Sequence, residues 1–186
     1  VLTIGPSTLF EGNIVAEAGG ICLNGATYNG TASFTKNGTS NDQGTGKNIF
    51  NGSTTFTNNG TGYFLMTNTT KDIFNAEVIF NCTNSGIIYS AYRGVDTEFN
   101  DDVIFNSSGS GGVRIGASTG TSILASSKKL RIGSSGFSSG TLMLSNFTAP
   151  GTDTQSLELT GSGILYLGPS SSFAGNLNCI AGGLSL

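Results

Sequence analysis

The sequence of 186 residues contains no His and no Trp, only three Pro, and few charged residues, which make up 10% of the chain. The net charge is −3 and the only basic run is 128–131, so nucleic acid is not expected as a partner. No apolar stretch reaches the length of a membrane span. Without His, the commonest general acid–base group is missing, and this argues against an enzyme.

The residues that are abundant indicate a folded chain with an uncharged polar surface. Hydrophobic residues make up 37% of the sequence, too many for a disordered linker, and there are 29 Gly. Ser, Thr and Asn take the polar positions that charged residues usually fill, and these residue types suit exposed strand faces and tight turns. Glycine clusters such as Gly60-Thr-Gly62 are expected to supply positive φ at corners.

One short phrase occurs three times, in residues 50–56, 74–80 and 99–105. Each copy begins with Phe-Asn and has a second Phe six residues after the first. Six is an even number, so both rings of a copy would lie on one face of an extended strand. In a helix the same spacing turns the chain by roughly 600°, which leaves the two rings about 120° apart. The phrase therefore predicts a strand.

The interval between copies predicts a coil of stacked strands. The first Phe recurs after 24 and then 25 residues, and no helical pattern separates the copies. In a parallel β-solenoid, equivalent positions of successive coils stack at about 4.8 Å, so like residues lie on like. Two inward ladders are expected. The first contains Phe10, Tyr28, Phe50, Phe74, Phe99 and Phe173, and the second contains Phe34, Phe56, Phe80 and Phe105.

A long internal repeat supports this interpretation. Residues 2–23 return as residues 165–186 at a constant offset of 163, and 11 of the 22 pairs are identical. Coil starts are expected near Phe10, Tyr28, Phe50, Phe74, Phe99, Ile123 and Phe147. That is about seven coils per unit, each averaging about 23 residues, with a rise of roughly 34 Å per unit.

The predicted fold is thus all-β, a right-handed parallel β-helix. Residues 1–186 would form one continuous solenoid, consisting of one 163-residue unit and the start of the next. The chain begins and ends within strand-like segments that lack the polar caps solenoids need, so we expect it to be part of something longer.

Several segments resemble a known kind of repeat. Residues 23–34, Phe50-Asn-Gly52, 135–140 and 165–173 are similar to tandem repeats in giant surface proteins of gliding-type, Gram-negative bacteria. The resemblance covers almost the whole chain. It implies a secreted, very long, repetitive surface or filament protein, with adhesion as one role. It implies no catalytic residue and no cofactor.

The densest charge cluster is Arg93, Asp96, Glu98, Asp101 and Asp102. Carbohydrate-cleaving β-helices use paired carboxylates on an outer face, but adjacent aspartates on a strand point to opposite sides. Neighbouring coils carry Asn, Gly, Ser and Thr at equivalent places, so a solvated corner is the preferred interpretation. Calcium at this turn is an alternative, although the nine-residue glycine–aspartate repeat is absent. No catalytic, cofactor-binding or metal-binding residue is predicted.

The cysteines Cys22, Cys82 and Cys179 have no metal-ligand spacing and indicate no disulfide framework. Cys179 falls on the second ladder, where a small buried apolar side chain is expected. Frequent Asn-x-Ser/Thr sequences, as at Asn51, are explained by turn chemistry. Thr-rich segments such as 53–57 suggest ice binding as an alternative function, but no regular Thr-x-Thr recurs in every coil.

Three classes of function remain. The leading hypothesis is structural: a rigid rod in an extracellular fibre or cell-surface stalk, joined end to end with other copies or continued in the same chain. The second is an adhesin that binds glycans or surfaces through a side face, which exposed Tyr63, Tyr89 and Tyr92 would favour. The third is a polysaccharide-active enzyme, which would need a carboxylate pair about 5–9 Å apart.

Overall fold

Each coil of the chain contributes one strand to each of three walls, here called the first, second and third face. The computed structural model describes all 186 residues; it contains strands and no helix, and every strand pair is parallel. The chain visits the faces in a fixed order, so each strand pairs with the third strand before it and the third strand after it, with one break between β4 and β7. The all-β, parallel β-helix fold that the Phe spacing predicts is therefore confirmed.

The strands are numbered in chain order. The first face contains β2 (Leu9–Phe10), β5 (Thr27–Tyr28), β8 (Ile49–Phe50), β11 (Ile73–Phe74), β14 (Thr97–Phe99), β17 (Ser122–Leu124), β20 (Phe147–Ala149) and β23 (Ser172–Phe173). The second face contains β3 (Ile14–Ala18), β6 (Ala32–Lys36), β9 (Thr54–Asn58), β12 (Val78–Cys82), β15 (Val103–Ser107), β18 (Leu130–Phe137), β21 (Gln155–Glu158) and β24 (Leu177–Ile180). The third face contains β1 (Leu2–Ile4), β4 (Ile21–Leu23), β7 (Asp42–Gln43), β10 (Phe64–Leu65), β13 (Ile87–Ser90), β16 (Gly112–Ile115), β19 (Thr141–Leu144), β22 (Ile164–Leu167) and β25 (Gly183–Ser185).

The first aromatic ladder lies inside the first face. Strand register places Phe10 beside Tyr28, and continues through Phe50, Phe74 and Phe99. Neighbouring rings are parallel within 2–5° and their centroids are 4.8–5.2 Å apart. This separation matches the strand spacing, so each ring covers the next without tilting. Tyr28, Phe50, Phe74 and Phe99 are buried, whereas Phe10 in the first coil is half-buried.

The second ladder runs through Phe34, Phe56, Phe80 and Phe105, all fully buried. Its rings stack at 5.5–6.0 Å. They also meet the first ladder edge to face, as in the Phe50–Phe56 pair at 5.6 Å and 88°. The two ladders therefore form a single aromatic core in the coils from Phe10 to Phe105, here called the upper coils.

In the coils after Phe105, here called the lower coils, two of the expected coil starts lie in the predicted strands but one or two residues away from the ladder position. The residue in register with Phe99 is Leu124, which is 1% exposed, whereas Ile123 points outward and is 42% exposed. Phe147 lies two positions before the ladder, in register with Ser122, and Ala149 pairs with Phe173. A run such as Ser122-Ile-Leu124 offers two aliphatic residues on opposite faces, and a one-residue slip exchanges them. The Phe147 ring still packs inward, 6.4 Å from Phe99 and 6.0 Å from Phe173.

The reason for glycine at the corners also differs in part from the expectation. Gly46 and Gly140 do have positive φ, but neither Gly60 nor Gly62 does. A Cβ added at Gly60 would lie 2.0 Å from the carbonyl oxygen of Gly38, the corner glycine of the preceding coil. The Gly60-Thr-Gly62 corner is therefore glycine because backbones of successive coils approach too closely for a side chain.

The third face is interrupted once, between β4 and β7. There the carboxylate of Asp42 points inward, and its Oδ2 accepts a hydrogen bond from the Ile21 backbone N–H at 3.0 Å. The same oxygen is 3.7 Å from Nζ of Lys36, and both side chains are buried. Gly20 makes room for this pair, since a Cβ there would lie 2.5 Å from Asp42 Oδ1. A buried ion pair thus replaces backbone pairing at this point.

Candidate functional site

A groove of about 640 Å³ follows the outside of the first face in the lower coils. Two carboxylates, those of Asp96 and Glu98, line it together with Thr121, Asn146 and neighbouring small residues. This is the largest depression on the molecule and contains part of the acidic cluster singled out in the sequence. Asp101, Asp102 and Arg93 are not among its lining residues.

The acidic residues of the cluster brace one coil against the next. Glu98 forms an ion pair with Lys71 in the coil before it. Asp96 Oδ1 accepts a hydrogen bond from the Thr121 hydroxyl at 3.0 Å. Asp101 Oδ1 lies 2.7 Å from Lys128 Nζ; this hydrogen bond lowers the pKa of Asp101 and raises that of Lys128.

The remaining acidic residue, Asp102, has its Oδ2 3.4 Å from Arg131 Nη2, which also binds Glu77 Oε2 at 2.7 Å. Each carboxylate of the cluster thus has a partner in an adjacent coil, which favours a bracing role over acid–base chemistry. The sequence suggested one cluster, but the structure separates Arg93 from it.

We expect that changing Asp96, Glu98, Asp101 and Asp102 together to Asn or Gln leaves any surface-attachment phenotype intact. The braces are partly exposed, so losing each should cost less than about 1 kcal/mol. The checks are an attachment assay and reducing-sugar release from plant and algal polysaccharides. Glycan-cleaving activity in the wild-type protein that disappears in this variant would contradict the expectation.

A second surface feature is a cluster of tyrosines on the outside of the third face. The rings of Tyr63 and Tyr89 meet edge to face at 5.7 Å, and those of Tyr89 and Tyr92 at 5.3 Å. All three rings are half-buried, and with Gln43 and Arg93 they line a depression of about 130 Å³. The structure thus brings together the three tyrosines that were named from the sequence as candidates for side-face binding.

Two guanidinium groups accompany these rings. The guanidinium carbon of Arg93 lies 5.5 Å from the centroid of Tyr92, and that of Arg114 lies 5.7 Å from the centroid of Tyr89. Both are cation–π distances. Arg114 Nη1 also donates to the Tyr89 hydroxyl at 3.3 Å, while its Nε is enclosed and has no acceptor. We call Tyr63, Tyr89, Tyr92, Arg93 and Arg114 the tyrosine–arginine patch.

Arg114 is not among the residues predicted from the sequence, although a signal for it is present. Arg114 follows Tyr89 by 25 residues, one coil length, and the two residues are in register on β13 and β16. The signal that could have found this single contact is the coil-length offset between an aromatic and a cationic residue at outward positions.

Outward asparagines form a ladder beside the aromatic one. Asn29, Asn51, Asn75 and Asn100 each follow a ladder residue. The side-chain amides of Asn51, Asn75 and Asn100 each donate to Oδ1 of the asparagine one coil earlier, at 2.8 Å. Stacked side-chain hydrogen bonds therefore account for these asparagines more directly than turn chemistry does.

The outward threonines do not form a long array. On the second face, Thr35 and Thr57 are in register but are followed by Asn81 and Asn106. Ser33 and Thr55 are likewise followed by Ile79 and Ile104. The flat Thr array that ice binding uses is thus restricted to two coils.

A polar column lies inside the corner between the second and third faces. It contains Lys36, Asn58, Cys82 and Ser107, stacked in register and all buried. Each side chain bonds to backbone groups of the turn that follows it. For example, Cys82 Sγ donates to the Gly86 carbonyl at 3.0 Å and accepts from the Gly112 N–H at 3.1 Å.

Cys82 is therefore a hydrogen-bonding corner residue, not merely a small apolar one. Cys179 does lie on the second ladder, in register with Leu157, and partial burial raises the pKa of its thiol. All three cysteines are free. No group of three or more Cys, Asp or Glu residues is placed to hold a metal ion.

The interior also holds one isolated carboxylate, that of Asp72. Its Oδ1 accepts hydrogen bonds from the backbone N–H and side-chain amide of Asn48, at 2.8 and 2.9 Å. Its Oδ2 is buried without a partner. Burial raises the pKa of Asp72 to about 7, against the lowering effect of the Asn48 hydrogen bonds. Burial, together with the nearby Asp72 carboxylate, also raises the pKa of the Tyr28 hydroxyl.

Comparison of the chain with protein-family models, with curated proteins and with solved structures found no match. None of its segments forms a helix long and apolar enough to cross a lipid bilayer. The fold and the surfaces described above are therefore the basis for a functional proposal.

Proposed function

We propose that this chain is a structural segment of a long extracellular fibre or cell-surface stalk. The observation that carries the proposal is the structural recurrence of its first coil. Strands β22, β23, β24 and β25 follow one another as β1, β2, β3 and β4 do, about 163 residues later. They pair in parallel with the strands before them, so residues 164–186 extend the stack and do not fold across its end.

The recurrence of the first coil gives a register for a further coil. Residues 164–186 pair in parallel with the coil before them, in the order in which residues 1–23 begin the stack. An unpaired parallel edge with apolar inward residues is a template for another coil. A further unit, of the same chain or of another copy, would cover it. Units joined in this way form a rod.

The rod predicts a fixed length increment per unit. Because Ile164 corresponds to Val1, residues 1–163 can be fused directly to further copies without changing the register. Fusions of one, two and three units should lengthen by roughly 34 Å per unit at constant cross-section. Small-angle X-ray scattering measures both quantities, and oriented filaments should show layer lines at ~4.8 Å and ~34 Å.

The matched control joins the same units through a flexible Gly/Ser linker of about 20 residues, which bends freely and should give shorter mean dimensions. Direct fusions that are no longer and no stiffer than the linked ones would contradict the rod.

A second function, binding to a glycan or surface through a side face, is favoured by the tyrosine–arginine patch. Three half-buried rings with polar edges offer the mixture of apolar and hydrogen-bonding groups that small-molecule sites use. Loss of surface attachment when Tyr63 and Tyr92 are changed to Ser, with the rod dimensions unchanged, would support this role. Unchanged attachment would leave the rod alone as the function.

A further inference from the structure

In the tyrosine–arginine patch, two cationic side chains without carboxylate partners lie against rings of one tyrosine cluster. Of the three arginines, Arg131 pairs with Glu77 and Asp102, while Arg93 and Arg114 form no ion pair. Both unpaired arginines lie on tyrosine rings of the same cluster. The chain as a whole has a net charge of −3, so two unpaired cations on one tyrosine cluster are a local exception.

The surrounding sheet has no negative charge facing outward. The strands of the third face contain a single acidic residue, Asp42, which is buried and paired with Lys36. The outward row that includes Tyr89 runs from Gln43 through Leu65 to Arg114, Met143 and Tyr166. An anion on this face would therefore meet two guanidinium groups and no repelling carboxylate on the strands.

The patch also has the means to hold a ring with hydroxyl groups. Gln43 Nε2 donates to the Tyr63 hydroxyl at 2.7 Å, and Asn68 lies beside Gln43 in the lining of the same depression. These amides and the tyrosine hydroxyls can exchange hydrogen bonds with a polyol, while ring faces and edges pack against its C–H groups. The volume of about 130 Å³ suits one ring-sized residue of a longer chain.

We propose that the patch binds an acidic saccharide, with one uronic-acid residue seated among Tyr63, Tyr89 and Tyr92 and its carboxylate held by Arg93 and Arg114. The proposal rests on the second function above, binding through a side face, and names its ligand class. Guanidinium groups bind carboxylates through paired hydrogen bonds, and the Arg93 side chain lines the depression while forming no ion pair in the protein. A nucleic acid is disfavoured because the patch has only two cations and no basic run adjoins it.

The test compares tri-galacturonic acid with its methyl ester, which has the same rings without the charge. Titration followed by nuclear magnetic resonance at low salt should show binding of the acid about tenfold tighter than of the ester. Arg93→Gln and Arg114→Gln should each weaken binding of the acid about fivefold and leave the ester unaffected. Added salt should weaken binding of the acid and leave binding of the ester unchanged.

Arg131→Gln is the matched control, since it removes an arginine from the second face. It should leave binding unchanged, and melting curves of all variants should confirm that they fold. Equal affinity for acid and ester would overturn the acidic ligand while leaving side-face binding intact. Binding of neither would remove the side-face function as well. Tighter binding of hexaglutamate or of single-stranded oligodeoxythymidylate would overturn the saccharide in favour of an acidic peptide or a nucleic acid.

Discussion

Phe80→Ala is expected to lower the free energy of unfolding by about 3–5 kcal/mol, which is the usual cost of removing a buried phenylalanine ring. The ring is fully buried and stacks between Phe56 at 5.8 Å and Phe105 at 6.0 Å. It also meets Phe74 edge to face at 6.5 Å. Since the backbone spacing between coils is fixed by hydrogen bonds, these neighbours cannot move together to fill the cavity.

Ile79→Ala provides the matched control, because Ile79 is the adjacent residue on β12 and points outward, half-buried. Its loss should cost about 1 kcal/mol. Urea unfolding followed by circular dichroism measures both values. Hydrogen exchange should show that amides near Phe56 and Phe105 lose more protection than those near Phe10, since coils interact mainly with their neighbours. A cost for Phe80→Ala no larger than that for Ile79→Ala would contradict the ladder's role.

The upper coils could be predicted from the sequence because each inward ladder position has only one candidate residue. In Phe50–Phe56, both ends are aromatic, the spacing is even, and the intervening residues are small or polar, so only one face can point inward. The 163-residue offset similarly predicts where the chain returns to its first coil. Such patterns depend only on strand periodicity, which the sequence displays directly.

The lower coils and the polar interior could not be predicted in the same way. Around Ile123 and Leu124, adjacent aliphatic residues compete for one inward position, and coil length decides between them. The inner column contains Lys36, Asn58, Cys82 and Ser107, which share no residue type, so their common position appears only in the register. What these residues share is bonding to turn backbone groups, which the sequence does not display.

The surface patch was predicted only in part. Tyr63, Tyr89 and Tyr92 were candidates because exposed aromatics favour binding, but their contacts depend on the lengths of two successive coils. Arg93 was assigned to the acidic cluster because it is near Asp96 in sequence. The turn between them carries Arg93 to the tyrosines instead, so the patch becomes visible only in three dimensions.

Asp72 is expected to make a contribution that destabilises the folded protein as the pH rises from about 4 to about 7. The ordinary pKa of this carboxyl, 3.8, is raised to about 7 in the folded protein because burial disfavours its charged form. Below pH ~4 both states are protonated, and Asp72 contributes nothing to the pH dependence. Between these values the unfolded chain releases the proton and the folded protein keeps it, so the free energy of unfolding falls by about 1.4 kcal/mol per pH unit. Above pH ~7 the loss is complete, at about 4 kcal/mol.

Asp72→Asn isolates this contribution, since it keeps the shape of the side chain and an acceptor for the two hydrogen bonds from Asn48. The variant leaves an amide N–H₂ in place of the unpartnered Oδ2, and the cost of that is the same at every pH. The test is therefore the pH dependence. The free energy of unfolding of the variant minus that of the wild type, measured by urea unfolding, should rise by about 4 kcal/mol from pH 4 to pH 8. Asp96→Asn, at an exposed position, should show no such rise. If the Asp72→Asn difference stayed constant across this range, the carboxylate would be ionised inside the fold, and a cation or water bound to its Oδ2 would have to be sought.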